Sequence, residues 1–324
     1  MEDSWNCRGY QSGDEYQIIT FNNEFNDRKM TSEHWKWKFA ENPFGKAIIK
    51  LMFDGKELIA HRSAIPMVIS IKGIAVSAAL IANTITHPDY RRKGISSYLA
   101  EAVYEEARRR GIKFIYNFPN PNSYPLYLKI AGWESLGQRS AWQKQLRTQP
   151  AFTMPHSTTI VQVERFDHRA NLLWDRVRQD YIVVLPRWEN FLNWRFTEHQ
   201  TNEYFKFIIK NAAEILGYLV LKIYTREDEI KGHIIDMLCI NNRDIVKSLL
   251  VYSYNYFIEK GITRISCWMP ENCFCAPVLK DEGFVSEVME TYFGLMILDR
   301  QDSLLQNVRH VGNWHLMMGD SDVF

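Results

Sequence analysis

The chain has 324 residues, 46% of them hydrophobic and 14% aromatic, so at about 150 residues per domain it can hold two well-buried cores. A formal charge of +1 gives no general attraction to nucleic acid or a membrane surface, and no apolar run approaches the roughly 18 residues of a membrane span. The polar start Met1-Glu2-Asp3-Ser4 is not a secretory signal, and the five cysteines (Cys7, Cys239, Cys267, Cys273 and Cys275) have no second pair or His pair at ligand spacing. A cytoplasmic globular protein with reduced thiols and no metal is therefore expected.

In chain order, Trp35-Lys36-Trp37-Lys38-Phe39 marks the start of a first unit. Residues 78–85 are almost uninterrupted small and branched apolar sequence, as in a buried strand. The basic, glycine-containing turn Thr86-His87-Pro88-Asp89-Tyr90-Arg91-Arg92-Lys93-Gly94-Ile95-Ser96-Ser97 follows. Ile95, Leu99, Ala102, Val103 and Ala107 then recur at helical spacing, with Glu101, Glu105, Glu106 and residues 108–110 largely on the other face, until Gly111 stops the helix. The first turn of such a helix has backbone N–H groups without intrahelical acceptors and a positive dipole end, and a diphosphate satisfies both. Gly94 would let the backbone approach closely, while Arg91, Arg92 and Lys93 supply countercharge. A strand at 113–117, an Asn- and Pro-containing segment from Phe118 to Tyr124, a short helix through Tyr127-Leu128-Lys129, and the step Gly132-Trp133-Glu134 complete the unit.

A Pro- and Thr-containing stretch at 147–159 links this unit to a second one that repeats its pattern. Leu192-Asn193-Trp194-Arg195-Phe196 echoes the Trp35 segment, and Gly283-Phe284-Val285-Ser286 echoes Gly132-Trp133-Glu134-Ser135. Between them strands are expected at 204–210, 215–224 and 233–240, a helix at 243–260 ended by Gly261, and a strand at 264–269. The turn corresponding to Gly94 has no glycine. There Asp244, or Asn242 before it, would cap the helix and occupy the amides a phosphate needs. After a polar link at 299–307 the tail is rich in large apolar residues. Trp314, Leu316 and Met317 are expected to dock, leaving Asp320 and Asp322 either to line an acceptor site that favours a cationic amine or to stand exposed on an ordinary terminal clasp.

The segment from Asn83 to Glu134 resembles the core of the GNAT superfamily of acyl-CoA-dependent N-acyltransferases. That family's cofactor motif reads Gln or Arg, two residues, Gly, one residue, then Gly or Ala, and Arg91, Gly94 and Ser96 occupy these places, Ser96 being a mild departure. The resemblance implies an α/β (α+β) fold of two GNAT-like units, each a mixed, mostly antiparallel twisted sheet flanked by helices. The expected division is 1–150 with an intact acyl-CoA site, 151–300 degenerate, and 301–324 a docked tail. It implies acetyl-CoA (acyl-CoA) as co-substrate, bound by Thr86, Arg91, Arg92, Lys93, Gly94, Ile95, Ser96, Ser97 and Asn120, with the pantetheine arm between two splayed strands. Tyr127 is the first candidate for the acid that protonates the departing thiolate, and Tyr124 competes because the family spacing places Leu128, not Tyr127, four residues before Gly132. A Tyr simply packed between helix and strand is the plainer alternative. Residues 75–86 contain no carboxylate to act as base; Asn83, Thr84, Thr86 and His87 are the polar groups there, His87 having a suitable intrinsic pKa. Asn83 is assigned to the substrate side. The expected activity is N-acetylation of a small amine, with amino sugars suggested by analogy. The alternatives are an aminoacyl-tRNA-dependent peptidyltransferase and a non-catalytic acyl-CoA-binding regulator. No nucleic-acid or membrane partner is expected, and oligomeric state is not legible.

Overall fold

The computed structural model describes residues 5–27, 29–147, 154–155, 157–212, 214–226 and 229–322. The polar start, most of the link at 147–159 and the last two tail residues lie outside them. The chain forms two compact units, and they do not follow the expected cuts at 150 and 300. The first comprises Met1–Val68, Val76–Ser135 and Phe293–Leu305, the second Ile69–Ala75, Leu136–Tyr292 and Gln306–Phe324.

In the first unit the elements are β1 (Trp5–Gly9), α1 (Glu15–Phe25), α2 (Ser32–Trp35), β2 (Ile48–Asp54), β3 (Glu57–Ile71), β4 (Ile74–Thr86), α3 (Ile95–Arg109), β5 (Phe114–Asn117) and α4 (Tyr124–Tyr127). The strands lie in the order β1-β2-β3-β4-β5. β1–β2 and β2–β3 are antiparallel, whereas β4–β5 is parallel because α3 supplies the crossover. The other edge of β5 pairs antiparallel with Gly294–Ile297, a segment from the far end of the sequence. Ile95 and Leu99 of α3 pack with Met52, Ile59 and Ala60, while Val103, Tyr104 and Ala107 pack with Ile48, Ala64, Ala79 and Ile115. Leu99 and Val103 are 1% and 0% exposed, which stabilises the helix on the sheet by about 1.5–3 kcal/mol each.

In the second unit the elements are β6 (Trp133–Gln145), β7 (Thr159–Val163), α5 (Arg169–Val177), β8 (Val183–Val184), α6 (Glu189–Phe196), β9 (Phe205–Lys210), β10 (Ile215–Arg226), β11 (Glu229–Cys239), α7 (Arg243–Glu259), β12 (Arg264–Cys267), α8 (Ala276–Asp281), β13 (Val285–Ile297) and β14 (Trp314–His315). The sheet runs β6-β12-β11-β10-β9-β7, antiparallel except for β11–β12, where α7 is the crossover. The two halves thus share one plan. The departure from the expected cuts has a definite cause: β6, from the first half of the sequence, pairs with β12 in the second unit, and the end of β13 pairs with β5 in the first. Each sheet is completed by a strand from the other half of the chain.

The tail is part of the second unit's core. β14 pairs with β8, and Trp314, Leu316 and Met317 are 1% exposed or less. Gly319 is needed for close approach, since a Cβ there would stand 2.7 Å from Phe196 Cζ and 3.4 Å from the Ile235 carbonyl.

Candidate functional site

The arrangement of β4, its turn and α3 makes the candidate site. β4 and β5 hold register only from Ala78↔Phe114 to Leu80↔Tyr116, after which β4 continues to Thr86 while β5 ends at Asn117. Asn83, at φ 47°, breaks the extended path within β4. The strands therefore part, and an extended amide-bearing chain can pair with backbone in such an opening.

At the end of β4 the turn is exposed from Arg91 to Gly94, and both Arg92 (φ 63°) and Gly94 (φ 81°) are left-handed. A left-handed arginine is strained, and such strain concentrates at functional sites. Gly94 is the N-cap of α3 and no side chain caps the helix, so no capping side chain claims the first-turn amides of Ile95 and Ser96. A Cβ at Gly94 would meet no atom within 4 Å. The Ile95 side chain is buried, so this residue offers only its N–H, whereas Ser97 is exposed and Ser96 half-buried. Arg91 Nε donates to the Thr86 carbonyl at 3.2 Å, bracing the turn, and the Lys93 ammonium lies 5.1 Å from the Tyr90 ring centroid and 5.7 Å from that of Trp5.

Tyr127 is 7% exposed, and its ring packs at a tilt against Trp133, 5.4 Å between centroids. Its hydroxyl accepts from Arg62 Nη2 at 3.4 Å, and the same nitrogen donates to the Tyr104 hydroxyl at 3.2 Å. Arg62 is 1% exposed on β3, so a guanidinium sits between two phenols inside the unit. Burial, and behind it the other phenol Tyr127, pushes the Tyr104 hydroxyl up against the opposing pull of Arg62. Tyr124 is half-buried, and its hydroxyl lies 2.9 Å from Ser135 Oγ.

The remaining polar candidates are tied into local structure. His87 Nδ1 accepts the Asp89 N–H at 3.3 Å, and the ring packs edge-on against Phe25 and Tyr90. His87 Nδ1 thus caps the turn between β4 and α3. Asn120 Oδ1 accepts from the Ser123 N–H at 2.9 Å and so forms the turn before α4. Asn83 Oδ1 accepts from Lys38 Nζ at 2.7 Å, and its Nδ2 donates to Asn22 Oδ1 at 2.9 Å. Lys38 lies on a π-helical turn, Lys36–Ala40, and is 7% exposed. Nearby His61 is fully buried and held neutral, its pKa pulled down to about 3 by burial and then by Lys38.

In the second unit the corresponding site is closed. Asn242 Oδ1 accepts from the N–H groups of Asp244 and Ile245 at 2.9 and 3.2 Å, so the first-turn amides are already used, and the cap is Asn242 rather than Asp244. β11 outruns β12 beyond Ile234↔Cys267, as β4 outruns β5, but there the tail lies along it. Gly319 abuts the Ile235 carbonyl.

Asp320 is 2% exposed, so it is neither an exposed terminal carboxylate nor open to a cationic amine. Arg187 Nη2 lies 2.7 Å from Asp320 Oδ1, and its Nε lies 2.9 Å from Asp236 Oδ2. Tyr218 donates to Asp236 at 3.1 Å, and the Met317 N–H donates to Asp320 at 2.8 Å. Asp322 is exposed.

The turn residues, with Thr86 and Asn83, are thus gathered in the first unit with Tyr124 and Tyr127, while Asp320 and Asp322 belong to the second. Sequence reading missed Lys38, His61, Arg62 and Tyr104 in the first unit and Arg187 and Asp236 in the second.

Residues 7–136 match the family model described as the acetyltransferase (GNAT) domain. No curated protein matches the sequence. Among solved structures, the chain is similar to a probable N-acyltransferase from Enterococcus faecalis (TM-score 0.72, 14% identity, 92% of this chain and 74% of that one). It is also similar to a GCN5-related N-acetyltransferase from Anabaena variabilis (0.67, 16%, 91% and 73%). A third likeness is to Saccharomyces cerevisiae N-myristoyltransferase with bound myristoyl-CoA (0.61, 12%, 92% and 83%). At these identities the likeness is one of fold.

Proposed function

We propose that this chain, a GNAT-superfamily N-acetyltransferase through its residues 7–136, moves an acetyl group from acetyl-CoA to the primary amine of a small acceptor, amino sugars being the first class to test. The observation that carries the reading is the exposed turn at Gly94, uncapped by any side chain, at the end of a strand that has parted from its neighbour. The diphosphate would take the N–H groups of Ile95 and Ser96 with Arg92 and Lys93 as countercharge, and the pantetheine amides would pair with β4. The acetyltransferase match supports this over a tRNA-dependent peptidyltransferase or a non-catalytic acyl-CoA binder. Incubation with acetyl-CoA and a panel of amines, following thiol release, tests it; no release with any amine would count against it.

In the reaction the neutral amine attacks the thioester carbonyl and sheds its surplus proton to solvent water, the C–S bond breaks, and the thiolate takes a proton. Tyr127 is the proposed donor, with Arg62 beside its oxygen to stabilise the phenolate that remains. Tyr127→Phe keeps the ring packing on Trp133 and removes only the acid. Turnover is expected to fall roughly 10²–10⁴-fold with CoA affinity nearly unchanged. Should Tyr124→Phe show that loss instead, the acid is Tyr124.

Gly94→Glu is expected to weaken CoA binding by roughly a few kcal/mol through exclusion and repulsion at the diphosphate. Gly94→Ala imposes the same left-handed backbone without the charge, so the difference between the two variants isolates the phosphate contact. Calorimetric titration with CoA reads both, and equal affinities for the folded variants would remove the cofactor assignment.

A further inference from the structure

β6 and β12 hold register only from Gln145↔Arg264 to Trp142↔Cys267, where β12 ends. β6 extends past that point toward its start, so Arg139 stands beyond the last residue paired with β12, and Trp268 is the first residue after β12. Both belong to the second unit. Trp142 and Cys267 are part of the core cluster that holds Ile245 to Phe257 of α7, and strand alternation turns Arg139 and Trp268 to the opposite face. There the guanidinium carbon of Arg139 lies 5.8 Å from the Trp268 ring centroid.

Arg139 is 6% exposed and Trp268 1%. Among the described residues nothing accepts a hydrogen bond from the Arg139 guanidinium or forms an ion pair with it, and its Nε is sealed from solvent. Folded proteins pair nearly all such donors, and an arginine carries five in one rigid fork. The other buried arginines obey that rule: Arg62 donates to Tyr104 and Tyr127, Arg187 is paired with Asp236 and Asp320, and Arg195 donates to the carbonyls of Gly319 and Ser321. Arg139 departs from it. Burial pulls its guanidinium down to about 10 against the attraction of Asp320, so it is still charged at neutral pH, while Asp320 itself is held by Arg187 at 2.7 Å.

We propose that Arg139, flanked by the Trp268 ring, is a binding site in the second unit for the carboxylate of a small organic acid. The planar guanidinium presents parallel N–H groups that match both oxygens of one carboxylate, and the indole beside it restricts how the fork can turn. Charge selects among oxyanions. A carboxylate cancels the single positive charge, whereas a phosphate dianion would leave one negative charge buried and unpaired. The site is separate from the turn at Gly94, which belongs to the first unit, and does not depend on the reaction proposed there.

Acetate is the probe, titrated calorimetrically into the full chain at pH 7.5 and constant ionic strength, where saturable binding is expected. Arg139→Met keeps the length of the side chain without its charge and should weaken that binding at least about tenfold, since a charge-assisted bidentate contact is lost. The same substitution breaks no hydrogen bond, so without acetate its urea midpoint should be no lower than that of wild type. Arg139→Lys keeps the charge and loses the fork, and it too should bind acetate more weakly. Gly94→Glu, which closes the diphosphate turn, should leave acetate binding unchanged and so separates the two sites. A lower urea midpoint for Arg139→Met would make Arg139 a structural counter-charge and overturn the proposal. So would the absence of saturable acetate binding, equal acetate affinity in wild type and both Arg139 variants, or tighter binding of inorganic phosphate than of acetate in the Gly94→Glu background.

Discussion

Arg187→Leu is expected to destabilise the second unit by about 3–5 kcal/mol at neutral pH, the usual effect of removing one partner from a buried ion pair. Arg187 is 0% exposed and stands between Asp236 and Asp320, also 0% and 2% exposed, so the substitution leaves two carboxylates buried without a cation. The three charges sum to minus one with Arg187 present. Burial, only partly offset by Arg187 and reinforced by Asp320, accordingly raises Asp236 to about 6. Between about pH 4 and 6 the folded chain thus holds a proton the unfolded chain has released. Stability from this group falls by up to roughly 1.4 kcal/mol per unit as pH rises through that window. Asp236→Asn, which fixes the protonated shape and leaves Arg187 paired with Asp320, should stay near wild type at pH 7.5 while Arg187→Leu does not. Urea unfolding of both variants at pH 5.5 and 7.5 makes the check. If Arg187→Leu unfolds like wild type at pH 7.5, the cluster does not hold the tail.

The site and the core were not equally legible. Residues 86–97 announced themselves because a strand, a basic glycine turn and a helix stripe are all local patterns, and α3 begins at Ile95 directly after Gly94 as the spacing requires. The closed turn of the second unit was readable for the same reason, since a cap is written in two or three adjacent residues. Strand partners are not local. Nothing in Phe114–Asn117 says that Gly294–Ile297 will lie beside it, so the division at 150 placed most of β6 and the end of β13 in the wrong units. Asp236 did leave a signal, being a charge inside the apolar run Ile234–Leu238, whereas Arg62 stands between the polar His61 and Ser63. Their partners, Tyr104 and Tyr127 for one and Arg187 for the other, depend on tertiary packing that periodicity does not encode. Asp320 was misread for that reason: a terminal carboxylate looks exposed until the arginine that buries it is known.

Acid is expected to unfold this chain well above the ordinary carboxylate range, because His61, His233 and His315 are buried in neutral form. Each is brought down to about 3, burial being the main cause, with Lys38 adding to it at His61, Lys222 and Lys231 at His233, and Arg187 at His315. Their folded pKa lies below the unfolded value of about 6.5, so between these limits the unfolded chain binds the protons. Stability is fully present above pH 6.5 and is lost as pH falls, by up to about 1.4 kcal/mol per unit for each histidine. Three together give about 4 kcal/mol per unit, and the opposing Asp236 returns about 1.4 of that between pH 4 and 6, so the histidines win. Paired carboxylates such as Asp14, lowered chiefly by its Arg8 hydrogen bond, act only below about pH 4 and cannot mimic this window. Against a total of about 5–15 kcal/mol, the transition should be complete near pH 4–5 by circular dichroism. His61→Gln should flatten the slope of the first unit without changing that of the second, where His233 and His315 still titrate. A stability profile that stays level from pH 7 to 4.5 would mean that these imidazoles find protons, and partners for them, in the folded state.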